Sequence, residues 1–179
     1  MCIQKTLIIF SKRIEVEVKK LLLPGLLVFV FLMNIINAQT MQEKNNAPKF
    51  DPSKNPFEDL KIAVEEAQKS DKRILLDVGG EWCIWCHRLD GFFEANPELK
   101  NYMHDNFVVL KVNWSPDNKN EKFLSQYPKI PGFPHIFILE KDGKFLFSKK
   151  TEELEKEKSY DAEKIMTFLK EWAPKKEKS

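Results

Sequence analysis

The sequence of 179 residues has few of the residues that hold a fold together covalently or through metals: three cysteines and three histidines. Small secreted domains that depend on disulfides need several bridges, so three cysteines exclude that class. Two closely spaced cysteines and one adjacent histidine are also an incomplete zinc ligand set without a second cluster. Hydrophobic residues make up 42% of the chain, which is enough for one domain with a normal core.

The sequence also lacks a strong charge of either sign. Its net charge is +2, and the basic excess lies in residues 1–38, so the remainder is nearly neutral. A neutral body gives no electrostatic reason to expect nucleic acid as a partner. We find no internal repeat.

Residues 1–38 have the pattern of an export signal. Lys19 and Lys20 precede an apolar stretch of about a dozen residues, which continues more weakly to Ala38. We predict cleavage after Ala38 and a periplasmic or extracellular location. The alternative is an uncleaved anchor that faces the periplasm, although the stretch is shorter than the ~20 residues of a spanning helix. The predicted cleavage site has no cysteine, so the sequence does not support lipid attachment there.

The remaining chain predicts one α/β domain. Residues 39–54 are rich in Asn, Lys, Gln and Pro and predict a flexible lead-in, and residues 174–179 a charged tail. Between them, over 55–173, segments with helical spacing alternate with short apolar runs. The apolar run at 74–78 predicts a buried strand that ends at Gly79-Gly80, residues 119–126 predict a helix, and the charged run 152–158 predicts a solvated surface. Asp142-Gly143 between two apolar runs predicts a hairpin. This order predicts a central mixed β-sheet flanked by helices on both faces.

Cys83 and Cys86 are the residues in which we expect chemistry. A disulfide between residues three apart closes almost no loop, so it stabilises the fold little. At the start of a predicted helix, the first sulfur lies over unpaired N–H groups that favour thiolate over thiol. Cys83 is therefore the expected nucleophile, and Cys86, one turn further on, the resolving thiol of a redox-active disulfide.

The run Trp-Cys-Ile-Trp-Cys-His at residues 82–87 resembles the active-site run of exported members of the thioredoxin family. The resemblance covers about residues 55–172 and includes Asp77, Lys111 and Gly132-Phe133-Pro134 in the family's order. It implies a thioredoxin-like fold in which Asp77 moves a proton to and from the resolving thiol. It also implies that Lys111 pairs with Asp77 and that Pro134 is cis and faces the sulfurs.

The resemblance implies a thiol–disulfide oxidoreductase that exchanges disulfides with protein substrates and a redox partner protein. We expect a monomer without metal or organic cofactor. Membrane contact is expected only through an uncleaved signal segment. Reductase, oxidase and isomerase directions stay open, because Ile84-Trp85 lacks the proline of the family's commonest dipeptide. His87 either tunes the redox pair or packs on the surface. Lys111 is either the partner of Asp77 or a solvated residue of its strand. The expected contacts to the client chain are Trp82, Trp85, Phe133 and Pro134.

Two other functions fit parts of the sequence. Residues 83–87 also have the CxxCH pattern of covalent haem attachment, with His87 as one iron ligand and Met103 or Met166 as the other. That function leaves Asp77 and the loop at 132–134 unexplained. A binding or chaperone module would instead use an apolar patch of Trp82, Trp85, Phe133 and Phe92-Phe93. His104 and His135 are expected to be structural or exposed.

Overall fold

The computed structural model describes residues 49–175. The predicted signal segment, most of the predicted lead-in and the end of the tail lie outside these residues. None of the helices between residues 49 and 175 combines the length and the apolar character needed to cross a membrane.

The described residues confirm the predicted alternation of helices and strands. The helices are α1 (Pro56–Ser70), α2 (Ile84–Ala95), α3 (Pro97–Asn106), α4 (Glu121–Leu124) and α5 (Ala162–Trp172). The strands are β1 (Arg73–Gly79), β2 (Phe107–Asn113), β3 (His135–Leu139), β4 (Phe145–Lys150), β5 (Glu155–Lys156) and β6 (Ser159–Tyr160), with a 3-10 helix at Thr151–Leu154.

Four strands form a mixed sheet in the order β2-β1-β3-β4. β1 pairs in parallel with β2 and antiparallel with β3, which pairs antiparallel with β4. The predicted hairpin between β3 and β4 is confirmed, with Gly143 in its turn at a φ of 87°, a region that glycine enters without steric cost. β1 is therefore an inner strand, and its carboxyl end leads directly to the cysteine pair.

The two faces of the sheet bury two separate cores. Side chains alternate between faces along a strand, so Ile74, Leu76 and Val78 of β1 face α1 and α4. Leu75 faces the opposite side, where α2, α3 and α5 contribute apolar residues. Asp77 follows the alternation of Leu75 and lies on the α2 face, which explains how an acid enters the core.

Two segments differ from the predictions. The helix expected over residues 119–126 is a single turn, α4. The charged run 152–158, predicted as a solvated surface, keeps most of its charged side chains exposed, but it also forms the 3-10 helix and one strand of the β5–β6 ribbon. Leu154 and Tyr160 of this region are buried. The missed structure is explained by these two apolar side chains, which tie the run to the core beside α2.

Candidate active site

The two cysteines lie where the chain passes from β1 to α2. Cys83 is the N-cap residue of α2, and its Sγ accepts a hydrogen bond from the backbone N–H of Cys86 at 3.1 Å. The two sulfurs form a disulfide, and the residues are only 4% and 1% exposed. When the disulfide is reduced, the first-turn N–H groups favour a thiolate at Cys83. This placement is compatible with the predicted roles of both cysteines, which stay predictions.

Gly79 at the end of β1 allows the disulfide to approach the sheet. A Cβ at this position would lie 2.5 Å from Cys86 Sγ and 3.1 Å from the Phe50 ring, closer than packed carbon atoms come. No larger residue fits without displacing one of these groups. The sequence Gly79-Gly80, predicted as the end of a buried strand, thus has a packing function as well.

A buried ion cluster lies on the α2 face of the sheet. Asp77 and Lys111 are direct neighbours in the parallel β1–β2 register. Lys111 Nζ donates to Asp77 Oδ2 at 2.7 Å and to Asp90 Oδ1 of α2 at 2.7 Å. The side chain of Asp77 is 7% exposed and that of Asp90 is 12% exposed. Lys111 is therefore a partner of Asp77 and not a solvated strand residue.

The cluster keeps one cation between two carboxyl groups, and this sets its protonation. Burial raises the pKa of Asp77 above its ordinary value, and the Lys111 charge opposes that effect without cancelling it. Burial alone would lower the pKa of Lys111, but the charges of Asp77 and Asp90 outweigh burial and raise it. Lys111 thus stays an ammonium, while Asp77 takes up a proton more readily than a solvated acid.

Asp77 also borders open space inside the domain. It lines a cavity of about 240 Å³, whose walls are mostly apolar side chains of the sheet and of the helices α2, α3 and α5. Asp77 Oδ1 has no hydrogen-bond partner among the described residues. A buried carboxylate oxygen without a partner costs free energy in the ionised form, and the cavity has room for water. Both features favour a carboxyl group that exchanges a proton.

Three aromatic rings form a cluster that reaches the disulfide through Phe133. The ring centroids of Trp82 and Phe133 are 5.7 Å apart, and Trp114 lies 4.8 Å from Phe133. The Trp82 indole N–H donates to the Trp114 carbonyl at 2.8 Å. Phe133 also packs against the cysteine pair. The peptide bond between Phe133 and Pro134 is cis, as the family resemblance implies.

Trp85 is held in place by contacts with Tyr160 and Arg88. Its ring contacts the Tyr160 ring edge-on at 5.7 Å, and the Tyr160 hydroxyl donates to the Trp85 carbonyl at 3.2 Å. The Arg88 guanidinium lies 4.4 Å from the Trp85 ring centroid. Burial raises the pKa of Tyr160. Trp85 therefore has one face fixed by the domain, and it lines a groove together with the loop at 131–134.

The three histidines lie apart from one another. His87 is exposed, and its Nε2 is 2.8 Å from the Glu81 carbonyl oxygen, which holds the ring beside the loop that precedes Cys83. His135 is buried, and its Nε2 is 2.8 Å from Ser148 Oγ. His104 is exposed on α3. Residues 49–175 contain no group of three or more His, Cys, Asp or Glu side chains arranged to hold a metal ion.

Sequence reasoning missed four residues that the structure brings to the site. Asp90 had a signal, because it follows Leu89 and precedes Phe93 on the buried side of α2, where an acid needs a partner. Trp114 follows β2 directly, but nothing in the sequence places it against Trp82. Tyr160 lies beyond the charged run. Phe50 lies in the segment predicted as lead-in, yet it is 1% exposed and packs against both cysteines.

Comparison with known families supports the fold. Residues 55–141 match the family model described as Thioredoxin-like. A structure described as a disulphide isomerase from Xylella fastidiosa Temecula1 aligns with a TM-score of 0.61 and 22% identity, over 70% of this chain and 97% of that chain. At this identity the likeness shows a common fold, which confirms the predicted fold class.

Curated relatives match part of the chain. A protein named disulfide bond reductase DsbH, from Chlamydia pneumoniae, is 26% identical over 99 residues, which are 50% of this chain and 59% of that protein. A protein named thiol:disulfide interchange protein DsbD, from Salmonella typhi, is 25% identical over 77 residues, 43% of this chain and 13% of that protein. The chain thus spans less than two thirds of the length of either relative.

Proposed function

We propose that the protein is a thiol–disulfide oxidoreductase working through Cys83 and Cys86, because the domain that carries this pair matches the family model described as Thioredoxin-like. The observation that carries the proposal is the disulfide at the N-terminus of α2, in a domain that also buries an Asp77–Lys111 ion pair. A disulfide that only stabilised the fold would need neither the helix N-terminus nor a buried acid.

The proposed reaction has two exchange steps. The Cys83 thiolate attacks a client disulfide, so that a Cys83–client bond forms, the client bond breaks, and the electron pair leaves on the second client sulfur. The Cys86 thiol then gives its proton to Asp77 and attacks the Cys83 sulfur. The Cys83–Cys86 bond forms, and the first client sulfur leaves as a thiolate that is protonated. The client gains two electrons, and the pair becomes the disulfide present in the structure.

Exposed apolar side chains next to Cys83 support contact with a protein client. Trp82 and Ile84 are 52% and 61% exposed on either side of it. Trp85, Phe133 and Pro134 line a groove of about 290 Å³. An extended client segment fits such a surface, because apolar contacts orient it without requiring one sequence.

We further propose that the protein is a monomer that works outside the cytoplasm in the reducing direction. The predicted export signal supports the location. The name of the chlamydial relative, a disulfide bond reductase, supports the direction. A redox partner protein would then return two electrons to the Cys83–Cys86 disulfide after each client.

The two alternatives are weaker. A haem protein of the CxxCH type needs both cysteine sulfurs as thioethers, whereas Cys83 and Cys86 form a disulfide with each other. It also needs a His87 nitrogen for the iron, whereas His87 Nε2 is hydrogen-bonded to the Glu81 carbonyl. A client-binding module would use the same apolar surface around Trp82. It gives no function to the buried Asp77–Lys111 pair, so the oxidoreductase accounts for more of the site.

Reduction of insulin disulfides by dithiothreitol tests the proposal. We expect the protein to accelerate the reaction and Cys83→Ser to remove the acceleration. Cys86→Ser should accumulate a mixed disulfide on Cys83 that mass spectrometry detects. Cys2→Ser is the matched control, because it removes a cysteine outside the predicted domain and should keep full activity. Unchanged turnover in Cys83→Ser would instead support the binding module.

A further inference from the structure

Lys49 and Phe50, which we call the N-terminal cover, come before the first helix and contact the site. The Phe50 side chain packs against Cys83 and Cys86. Its backbone N–H donates to Glu81 Oε1 at 2.7 Å. A second anchor follows two residues later, where the Pro52 carbonyl accepts a hydrogen bond from a side-chain amide at 2.8 Å. The segment is therefore fixed at Phe50 and again at Pro52.

The N-terminal cover also contacts the ion cluster. The Lys111 ammonium lies 4.3 Å from the centroid of the Phe50 ring, a cation–π distance. Lys49 Nζ lies 3.4 Å from Asp90 Oδ2. Phe50 thus contacts both the sulfur pair and the cation that holds Asp77, while Lys49 extends the chain of alternating charges by one member.

We propose that Lys49 and Phe50 are positioning residues of the disulfide site, which act through the ion cluster to set the protonation of Asp77 and the rate at which Cys86 resolves a mixed disulfide. The proposal rests on the oxidoreductase function and adds a control of its second step. In that step the Cys86 proton passes to the Asp77 carboxylate as the Cys86–Cys83 bond forms and the client thiolate leaves.

The two residues act on Asp77 in opposite directions. Phe50 covers Lys111 and keeps water from the cluster, and burial is the largest cause that raises the pKa of Asp77. The Lys49 charge has a smaller effect that lowers it. Removing the ring should therefore lower the pKa, and removing the Lys49 charge should raise it. The other charged or titratable groups that interact with Asp77 are Lys111 on β2, Asp90 on α2 and Tyr160 on β6. Glu94 of α2 and Lys100 and His104 of α3 line the same cavity as Asp77.

The reaction of the reduced full-length chain with the aromatic disulfide dithiobis(nitrobenzoate) isolates the resolving step. Cys2→Ser in every variant leaves only the pair to react. Cys83 attack releases one coloured thiolate, and Cys86 resolution releases the second in a separate stopped-flow phase. We expect Phe50→Ala to lower the pH midpoint of the second phase by about half a unit or more, and Lys49→Gln to raise it.

Matched controls come from the same region. Phe57→Ala removes a half-exposed ring, and Lys54→Gln removes an exposed charge. Phe57 packs against Phe123, and the Lys54 charge is not among those that act on Asp77, so both variants should keep the wild-type midpoint. A general loss of stability cannot imitate the expected result, because it would not move the midpoint in opposite directions in Phe50→Ala and Lys49→Gln.

Unchanged midpoints in both variants, or shifts in the same direction, would overturn the proposal, as would equal shifts in the controls. If Phe50→Ala does not fold, the comparison of Lys49→Gln with Lys54→Gln decides alone. Insulin reduction by the wild-type protein reports separately on the proposed function. A chain that shows the expected midpoint shifts but never reduces insulin would contradict that function and leave the control of Cys86 established.

Discussion

The two sides of the disulfide reverse the usual distribution of side chains in a folded domain. Toward solvent, Trp82 and Ile84 are 52% and 61% exposed. Toward the interior, Lys111 donates hydrogen bonds to the buried carboxyl group of Asp77 and to Asp90, whose side chain is 12% exposed. Large apolar residues normally lie inside, and charged residues are rarely buried without a specific reason.

Neither side is explained by stability. Exposed apolar surface gains nothing for the isolated chain and is useful only when a partner covers it. Burying charged groups costs solvation energy that their mutual attraction often fails to return. We therefore assign recognition to the outer side and proton transfer to the inner side. Variants that alter one side at a time separate these two roles.

Asp77→Asn alters the inner side and should have the largest effect. Without an acceptor for the Cys86 proton, we expect the resolving phase at neutral pH to slow by about 10²-fold or more, the usual range for loss of a general base. The attack phase of Cys83 should change little. Stopped-flow rates measure both phases, and Asp105→Asn, an exposed acid on α3, is the control. Equal slowing of both phases would contradict the assigned role.

The same variant tests the raised pKa of Asp77 through stability. Below the ordinary value of 3.8, folded and unfolded states are both protonated. As pH rises toward the higher folded pKa, the unfolded state loses its proton first, so the free energy of unfolding falls. In Asp77→Asn the free energy of unfolding should lack this fall. Its difference from the wild-type value should therefore grow with pH, in favour of the variant, and then level off. Urea unfolding at several pH values measures the difference, and a gap independent of pH would contradict it.

Gly79→Ala changes the packing between the two sides. The new Cβ would overlap Cys86 Sγ and press on Phe50, so we expect unfolding to require about 2 kcal/mol less. Gly91→Ala is the matched control, because its Cβ meets no atom within 4 Å in the middle of α2. That variant should gain about 0.5–1 kcal/mol from helix propensity. Equal effects in urea unfolding would show that Gly79 has no special contact.

His135 packs against Phe137 on the opposite face of the sheet from Asp77, and it gives the domain a second titration. Burial, with a smaller effect of the Lys150 charge, lowers the pKa of His135 to about 4. Between its ordinary value near 6.5 and 4, the unfolded chain binds a proton that the folded chain refuses, so stability falls as pH falls. We expect a loss on the order of 2 kcal/mol relative to His135→Gln. His104→Gln removes an exposed imidazole and is the matched control, and equal changes in the two variants would contradict the prediction.

Trp82→Ala alters the outer side and should have the smallest effect. Loss of an exposed indole beside Cys83 should raise KM for a protein client by about 10-fold, the scale of one aromatic contact. The rate with a small aromatic disulfide should stay close to wild type, because such a reagent needs no extended surface. Ile62→Ala removes an apolar side chain that is 63% exposed elsewhere and serves as control. Equal losses with both substrates would show a structural effect.

The parts of the site that depend on local sequence could be predicted. The buried strand before Gly79 and the cysteine pair at a helix start are local patterns, and the structure contains both. The Asp77–Lys111 pair was undecided because it depends on the β1–β2 register, which places residues 34 apart side by side. Single-strand patterns do not contain that register.

The parts set by tertiary contact could not be predicted. Phe50 lies in a polar segment whose composition suggests a flexible lead-in, but one backbone N–H and one ring fix it against the site. Tyr160 follows a run of charges, and only its packing under Trp85 shows its importance. In both cases a single apolar residue in a polar stretch is decisive, and periodicity cannot detect a single residue.

The reduction potential of the Cys83–Cys86 pair tests the central claim most directly. The protein should be equilibrated with dithiothreitol or glutathione buffers, and its oxidised fraction measured by thiol alkylation and mass spectrometry. We predict one two-electron transition between about −200 and −300 mV, within the range of reducing members of this class. A pair that stays oxidised below about −350 mV would be structural, and one near −120 mV would be a dedicated oxidant. Either value would contradict a reducing oxidoreductase that works through Cys83 and Cys86.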